Sequence, residues 1–538
     1  MSSACFPDLT RPVLRVTSHM VGDITRAIPD ASVAQYYTDG TSDVDVPWTL
    51  HNMTALSRML LPCVSTIFEG YRWPGKNRPY YHQIRVAEFL SRNHRGYCFA
   101  GMGTGKTRAA CWAADYLMTM GVVKRALIVC PKNLMWSAWV DDIMATCIHR
   151  THRVLYGDRQ RREQLCRESE AAFDIVNFDG IEILKDLLKV KQYDLVIIDE
   201  STAYKDASTR RWKALASLVT PDTRIWALTG TPTPQGPMDA YGQGKLVTPE
   251  RMPRTKTLYQ SMVQFKVATY IWKNKPNWQD TVRELLQPAI YINKADCLDL
   301  PPVSSIYREV GVSSAQGAAI QALKKDMLAN FSGDHQVVVE NAAVLHGKLR
   351  QIYAGGIYTS DGMALALDNK ARLAECVELI ERARAEGDHD AADGKPHSKA
   401  LVFVPFKHAM QVVKDELEKH FQVAVISGDT SVHDRRNILR HFQEDYTIDV
   451  ILAIPEAFSH GVTATAASLI VWYAPPSRTE TYLQACERTN RPGQTQHQVV
   501  AHLYGDAGER SMYDALIENQ QGQERLLQLY YNFIGRKP

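Results

Sequence analysis

Ala100-Gly101-Met102-Gly103-Thr104-Gly105-Lys106-Thr107 has the spacing of a phosphate-binding loop, a small residue followed five positions later by Gly-Lys-Thr. Glycines let the backbone curl so that successive N–H groups point inward at phosphate oxygens. In such a loop Lys106 reaches the β- and γ-phosphates and the Thr107 hydroxyl sits on Mg²⁺. Tyr97-Cys98-Phe99 predicts a short strand before the loop. Thr107 to Met120 predicts a helix, whose positive N-terminal end faces the phosphates. A Gly-rich turn matches the same pattern by accident, and the rest of the chain decides between the two.

Downstream the chain alternates. Ala126–Cys130 is a continuous apolar run, as in a strand buried on both faces. Residues 152–157, 173–178, 194–198 and 224–228 are further strand candidates, mostly separated by helical stretches. That rhythm predicts an α/β fold with a parallel, doubly wound sheet, where ligands bind at the carboxyl ends of strands. Two more segments sit at such ends. Leu195-Val196-Ile197-Ile198 runs into Asp199-Glu200, an acidic pair that is costly after an apolar strand unless it serves something. Asp199 suits Mg²⁺, and Glu200 suits orienting and deprotonating the water that attacks the γ-phosphate. Leu228-Thr229-Gly230-Thr231-Pro232 has no obvious catalytic group and suits a coupling element between nucleotide and a second ligand.

With 538 residues, more than one domain is expected. The net charge of +3 means that any nucleic-acid surface is a local groove and not the whole molecule. Basic clusters occur at Arg72–Arg85, at Arg159, Arg161 and Arg162, and at Arg210, Arg211 and Lys213; solvated faces explain such clusters more often than binding sites do. Ten scattered cysteines with no C-x-x-C pair predict free thiols and no zinc site. No secretory signal and no membrane-length apolar run is present. A cytoplasmic location, that of the host if a virus encodes the chain, is expected.

The second half begins with a mixed, largely helical region from residue 240, with helical runs at 315–332 and 346–352. An acidic, glycine-bearing stretch at 385–394 reads as an exposed loop. Strand candidates then resume at 400–404, 423–426, 450–453, 469–472 and 499–503, a second α/β lobe without a phosphate loop. Near its end, Arg488 and Arg491 are three apart, so on a helix they share one face. Arginine fingers that complete the nucleotide site of the first lobe, or a plain basic helix surface, fit these residues equally well.

In order, these pieces resemble helicase superfamily two, and within it the Swi/Snf-type DNA translocases. RPYYHQ (78–83) resembles the family's glutamine motif, and LIVCPKNLMWSAW (127–139) and IVNFD (175–179) its next two motifs. IIDEST (197–202) and LTGTPTPQGPMDAY (228–241) occupy the acidic and Leu-Thr-Gly-Thr-Pro positions. HGKLRQIYAGG (346–356), KALVFVPF (399–406), VISGD (425–429), SHGVTATAA (459–467) and QACERTNRPGQTQHQVV (484–500) complete the set.

The resemblance implies two tandem RecA-like lobes with helical protrusions. Its boundaries are an N-terminal segment of unknown role at 1–75, an ATP-binding lobe at 76–240, protrusions and connector at 241–395, and a second lobe at 396–538. By position, Gln83 reads adenine, and Gly101, Met102, Gly103, Thr104, Gly105, Lys106 and Thr107 hold the phosphates of ATP. Thr107 and Asp199 hold Mg²⁺, while Lys106, Glu200, Arg488 and Arg491 are catalytic. DNA contacts fall at Lys132, Asn177, Phe406, Ser427 and Thr463. The implied partner is duplex or branched DNA gripped by its phosphates, and the implied activity is ATP-driven translocation by a monomer, in replication, recombination or repair. The same engine also fits an RNA- or single-strand-directed helicase, and a nucleotide-dependent DNA clamp with little turnover.

Three positions depart from the family pattern. Ser201-Thr202 stands where the family has Ala-His or Gly-His, so coupling to the Leu228–Pro232 segment is expected to differ. Residues 454–459 replace a glycine-rich run before Gly461, and Asn490 stands where histidine is common.

Overall fold

The computed structural model describes residues 3–5, 13–61, 63, 65–268, 271–297, 300–330, 335–358, 364–389, 398–445, 447–458 and 463–535. Residues 390–394 of the acidic stretch, and Ser459 to Gly461 with the start of the 459–467 motif, lie outside them. The chain divides into two compact units, one of 1–233, 237–297 and 525–538, the other of 234–236 and 298–524.

The first unit is built on a seven-stranded sheet in the spatial order 289–292, 95–100, 224–229, 195–199, 126–130, 173–177, 152–154. Every pairing is parallel. Successive residues of these strands point to opposite faces. Tyr97, Phe99, Val196, Ile198, Ile225 and Ala227 therefore build one core, and Cys98, Ala100, Leu195, Ile197, Trp226 and Leu228 the other. Burial on both faces is why these strands read as unbroken apolar runs. The third candidate is shorter than expected, His152–Val154, because Tyr156 and Gly157 leave the ladder, the latter at φ +142°. Strand Ala289–Ile292 joins this sheet beside 95–100, from inside the stretch expected to form protrusions and connector.

Residues 3–5 and 13–61 form an antiparallel sheet in the order 3–5, 13–18, 42–47, 32–36 with helices Val21–Ala27 and Leu50–Arg58. Leu14, Val16, Ile24, Val44, Val46, Met53 and Leu56 form its core. The alternating burial of Val13–Ser18 is that of a strand with one covered face.

The second unit holds a six-stranded, all-parallel sheet in the order 303–309, 498–504, 467–472, 399–403, 450–453, 423–426. Ala400 and Val402 face one core, Leu401 and Phe403 the other. The two lobes are thus RecA-like α/β units. Helices Ser314–Asn330 and His335–Tyr353 belong to the second unit and cover the described residues of both helical runs expected there. Cys63 and eight further cysteines are unbridged thiols. Among the described residues no helix is long and apolar enough to cross a membrane.

Candidate functional site

The sheet order of the first unit brings the chemistry together. Strand 224–229 lies between strand 95–100, which feeds the phosphate loop, and strand 195–199, which ends in the acidic pair. Three chain-distant segments therefore emerge side by side at the carboxyl edge.

The loop between Ala100 and helix Lys106–Thr119 needs its glycines at two points. Gly103 has φ +83° and Gly105, which caps the helix, has φ +77°. A Cβ on Gly105 would lie 2.1 Å from Gln83 Nε2. Gln83 is buried and packed on the loop: its Nε2 donates to the Thr104 carbonyl at 3.3 Å, and its Oε1 accepts the Tyr80 N–H at 3.0 Å. His82 Nε2 lies 2.8 Å from the same Thr104 carbonyl. The glutamine motif thus braces the loop from outside. A Gly105→Ala variant combines a left-handed conformation that costs about 1–2 kcal/mol with that clash. It should weaken ATP binding roughly tenfold or more, measured by nucleotide titration; unchanged affinity would show that the loop tolerates the shift.

Lys106 and the acidic pair face each other. Lys106 Nζ is 3.5 Å from Glu200 Oε1, with side-chain exposures of 11% and 10%. Burial lowers the Lys106 pKa, but Glu200 and Asp199 outweigh it and hold the ammonium above its ordinary value. Asp199 is 1% exposed, and burial pushes its carboxyl up to about 6 against the pull of Lys106. Trp139 Nε1 donates to Asp199 Oδ2 at 3.0 Å, and the Glu200 N–H donates to Oδ1 at 3.1 Å. Trp139 reaches it from a single π-helical stretch, Met135–Val140. Glu200 sits at φ +52°, ψ +59°, a left-handed conformation uncommon outside glycine and typical of functional turns. Thr107 and Asp199 offer the hard oxygen donors that Mg²⁺ prefers, and Asp199 is already oriented by two donors, so the residues present fit that ion.

The Leu228–Pro232 segment touches the acidic pair directly. Thr229 Oγ1 donates to Glu200 Oε2 at 3.4 Å and accepts the Thr231 N–H at 3.1 Å. Beside it, Ser201 Oγ donates to Gln243 Oε1 at 2.8 Å. Sequence reasoning assigned neither Trp139 nor Gln243 to the site. The former lies in a matched motif but has no titratable group, and the latter sits in an ordinary helix, Asp239–Val247.

Two of the expected DNA contacts fall in this unit. Lys132 is exposed, with its Nζ 5.0 Å from the centroid of Tyr156. The ring also meets Trp136, 42% exposed, edge-on at 5.2 Å. Asn177 is 7% exposed, and its Oδ1 accepts from Arg162 Nη1 at 2.7 Å. Arg162, one of the basic-cluster residues, is thus buried and spent on Asn177 and the Gly157 carbonyl. Arg159 of the same cluster pairs with Glu163, and Arg211 of the next cluster with Asp179.

In the second unit one expectation is corrected. Arg488 and Arg491 do not share a helix face, because helix Thr479–Cys486 ends before them. The Thr489 hydroxyl donates back to the Cys486 carbonyl at 3.1 Å, and Pro492 has no N–H to continue a helix. Both arginines lie in the turns that follow. Arg488 is 5% exposed, and Arg491 Nη1 donates to the Thr463 hydroxyl at 3.0 Å. That contact joins an expected phosphate residue to an expected DNA residue. Phe406 caps helix Lys407–Leu417 with its ring 5.6 Å from the Arg350 guanidinium, and Ser427 Oγ accepts the Asp429 N–H at 3.2 Å.

Residues 82–354 match the model of the SNF2-related domain, and residues 379–493 that of the helicase conserved C-terminal domain. "Putative protein p41" of Acyrthosiphon pisum secondary endosymbiont phage 1 is 24% identical over 480 residues, covering 86% of this chain and 99% of that protein. The SWI/SNF-related matrix-associated actin-dependent regulator of chromatin subfamily A-like protein 1 of Xenopus laevis is 25% identical over 432 residues, 77% of this chain. The chain spans only 40% of the length of that relative. Among solved structures, the Sulfolobus solfataricus SWI2/SNF2 ATPase core in complex with dsDNA aligns with a TM-score of 0.40 at 18% identity, covering 85% of this chain and 96% of that one. With the phosphate loop, acidic pair and second-lobe motifs in place, and half the chain inside a single family model, the chain belongs to the SNF2-related family, the Swi/Snf-like nucleic-acid-stimulated ATPases of helicase superfamily two.

Proposed function

We propose that the chain is an ATP-dependent translocase that moves along, or remodels, double-stranded or branched DNA, in replication, recombination or repair. The observation that carries the reading is the pairing of Lys106 with Glu200 at the carboxyl edge of the first sheet, beside a loop whose glycines hold left-handed turns. Lys106 then leaves Glu200 for the β- and γ-phosphates of ATP, and Glu200, freed, orients and deprotonates the attacking water. Thr107 and Asp199 would hold Mg²⁺, which when bound would neutralise charge on the phosphates. Gln83 fixes the loop from behind and reads adenine where its amide is released. Arg488 and Arg491 stabilise charge on the transferring phosphoryl group from the second lobe. The proposed division of the chain is an N-terminal segment at 1–75, ATP lobe at 76–240, protrusions and connector at 241–395 apart from strands 289–292 and 303–309, which add to the two lobe sheets, and second lobe at 396–538.

DNA is gripped by its phosphates near Lys132, Asn177, Phe406, Ser427 and Thr463. Lys132 is the exposed cation of the set, so Lys132→Ala should weaken duplex binding equally for unrelated sequences and reduce the salt slope by about one ion. An unchanged slope would remove Lys132 from the interface.

The deciding experiment is steady-state ATP hydrolysis with no nucleic acid, duplex DNA, forked DNA, single-stranded DNA or RNA, each at two salt concentrations. Duplex or fork stimulation that weakens with salt is the expected result. Stimulation by RNA or single strands alone would replace the reading with a strand-directed helicase, and no stimulation by any of them would leave a clamp.

A further inference from the structure

Ser201 stands where the family has alanine or glycine, so its hydroxyl has no counterpart in the family pattern. In this chain that hydroxyl is 2% exposed and donates to Gln243 Oε1 at 2.8 Å. Gln243 is 1% exposed. Its Nε2 donates to the Pro232 and Asp239 carbonyls, both at 2.8 Å. The amide therefore uses both N–H groups and its carbonyl, which fixes its orientation: reversed, it would set its carbonyl against two carbonyls.

The bonds form a path. Glu200 precedes Ser201 in a left-handed turn, and Pro232 closes the Thr229–Pro232 segment. The segment is tied to the acidic turn twice, directly through Thr229 to Glu200 and indirectly through Pro232, Gln243 and Ser201. A shift of Pro232 against helix Asp239–Val247 must move Gln243 or break its bond, and a shift of Gln243 pulls on the residue next to Glu200. The segment also has capacity for a second arrangement. The Thr231 and Thr233 hydroxyls, 7% and 0% exposed, have no hydrogen-bond partner in this structure. Buried hydroxyls are costly to leave unpaired, so either one gains by finding a partner if the segment shifts.

We propose that Gln243 is a positioning residue that couples the Thr229–Pro232 segment to Glu200 through its bond with the Ser201 hydroxyl. The inference rests on the DNA-stimulated ATPase reading and adds the residue that transmits the stimulation. Gln243 touches no phosphate or water itself. Its loss should leave ATP affinity and the unstimulated rate in place and remove the response to DNA.

The test is a double-mutant cycle on the ratio of DNA-stimulated to unstimulated kcat, with the full chain and a defined duplex. Ser201→Ala and Gln243→Leu should each lower that ratio about tenfold, with KM for ATP and unstimulated kcat within about twofold of wild type. The double variant should be no worse than the poorer single variant, because both break one path. Ser201→Ala removes one oxygen only, so its result stands even where Gln243→Leu folds poorly. A stimulated wild type with unchanged ratios in Ser201→Ala would overturn the inference alone, as would losses that multiply in the double variant. A wild type that DNA does not stimulate would overturn the inference together with the reading it rests on.

Discussion

Glu200→Gln should stop turnover while leaving ATP bound. The substitution keeps the volume and shape of a side chain that is 10% exposed, and its amide carbonyl still accepts the Thr229 hydroxyl. What it loses is the ability to take a proton. General-base catalysis contributes roughly 10²–10⁴-fold, and a fall of that size in single-turnover hydrolysis is expected. ATP affinity should hold or rise, because Lys106 no longer has a carboxylate at 3.5 Å to leave before it meets the phosphates. The two measurements separate the roles: equal losses of binding and turnover would make Glu200 a binding residue, and turnover within tenfold of wild type would place the base elsewhere. The left-handed backbone at Glu200 sharpens the test, since glutamine has to occupy the same φ of +52° and any strain cost is shared with the parent.

Legibility from sequence followed the physics of each element. Strands buried on both faces announced themselves as apolar runs, so Ala126–Cys130, Leu195–Asp199 and Lys399–Phe403 appeared where expected. Phosphate loop and acidic pair were readable because their chemistry needs fixed residue types at fixed spacing. Two edge strands were not, although those at 152–154 and 423–426 were. Ala289–Ile292 and Val303–Glu309 each pair on one side only, and the latter is exposed or half-buried throughout, so neither produces a long apolar run. The small sheet of residues 13–47 was missed because its strands are short and interrupted by polar turns. Side-chain relays escaped for another reason. Gln243 and Trp139 act by where the fold points them, and neither identity nor spacing encodes that. The expected helix face for Arg488 and Arg491 failed on local chemistry visible in the sequence, since Thr489 and Pro492 are a helix-ending pair.

Breaking the Arg372–Glu509 pair should cost the second unit a large share of its stability. Arg372 and Glu509 side chains are 3% and 0% exposed, and Arg372 Nη1 donates to Glu509 Oε1 at 2.9 Å. Arg372 also donates to the Tyr473 carbonyl, and Glu509 accepts the Gly505 N–H at 2.7 Å. The pair thus ties helix Lys370–His389 to the end of strand 467–472 and to the start of helix Ala507–Gly535. Removing one partner of a buried pair strands the other charge and costs about 3–5 kcal/mol, a large share of the roughly 5–15 kcal/mol that holds a domain folded. In Arg372→Ala, hydrogen exchange should rise across strand Lys399–Phe403 and its neighbours, and leave strand Ala126–Cys130 protected. The deficit should also depend on pH. Burial already raises the Glu509 pKa, and Arg372 is the main group opposing it. Without Arg372 the folded-state pKa rises further above the unfolded value, so the stability lost is smaller at pH 5 than at pH 8. Arg372→Met with Glu509→Leu removes both charges and should recover much of the loss, since an apolar pair of similar volume avoids the desolvation cost. Protection in Arg372→Ala equal to wild type would mean that water reaches the pair and screens it, and a double variant as unstable as the single one would mean that the bonds to Tyr473 and Gly505, and not the charge pair, hold the three elements together.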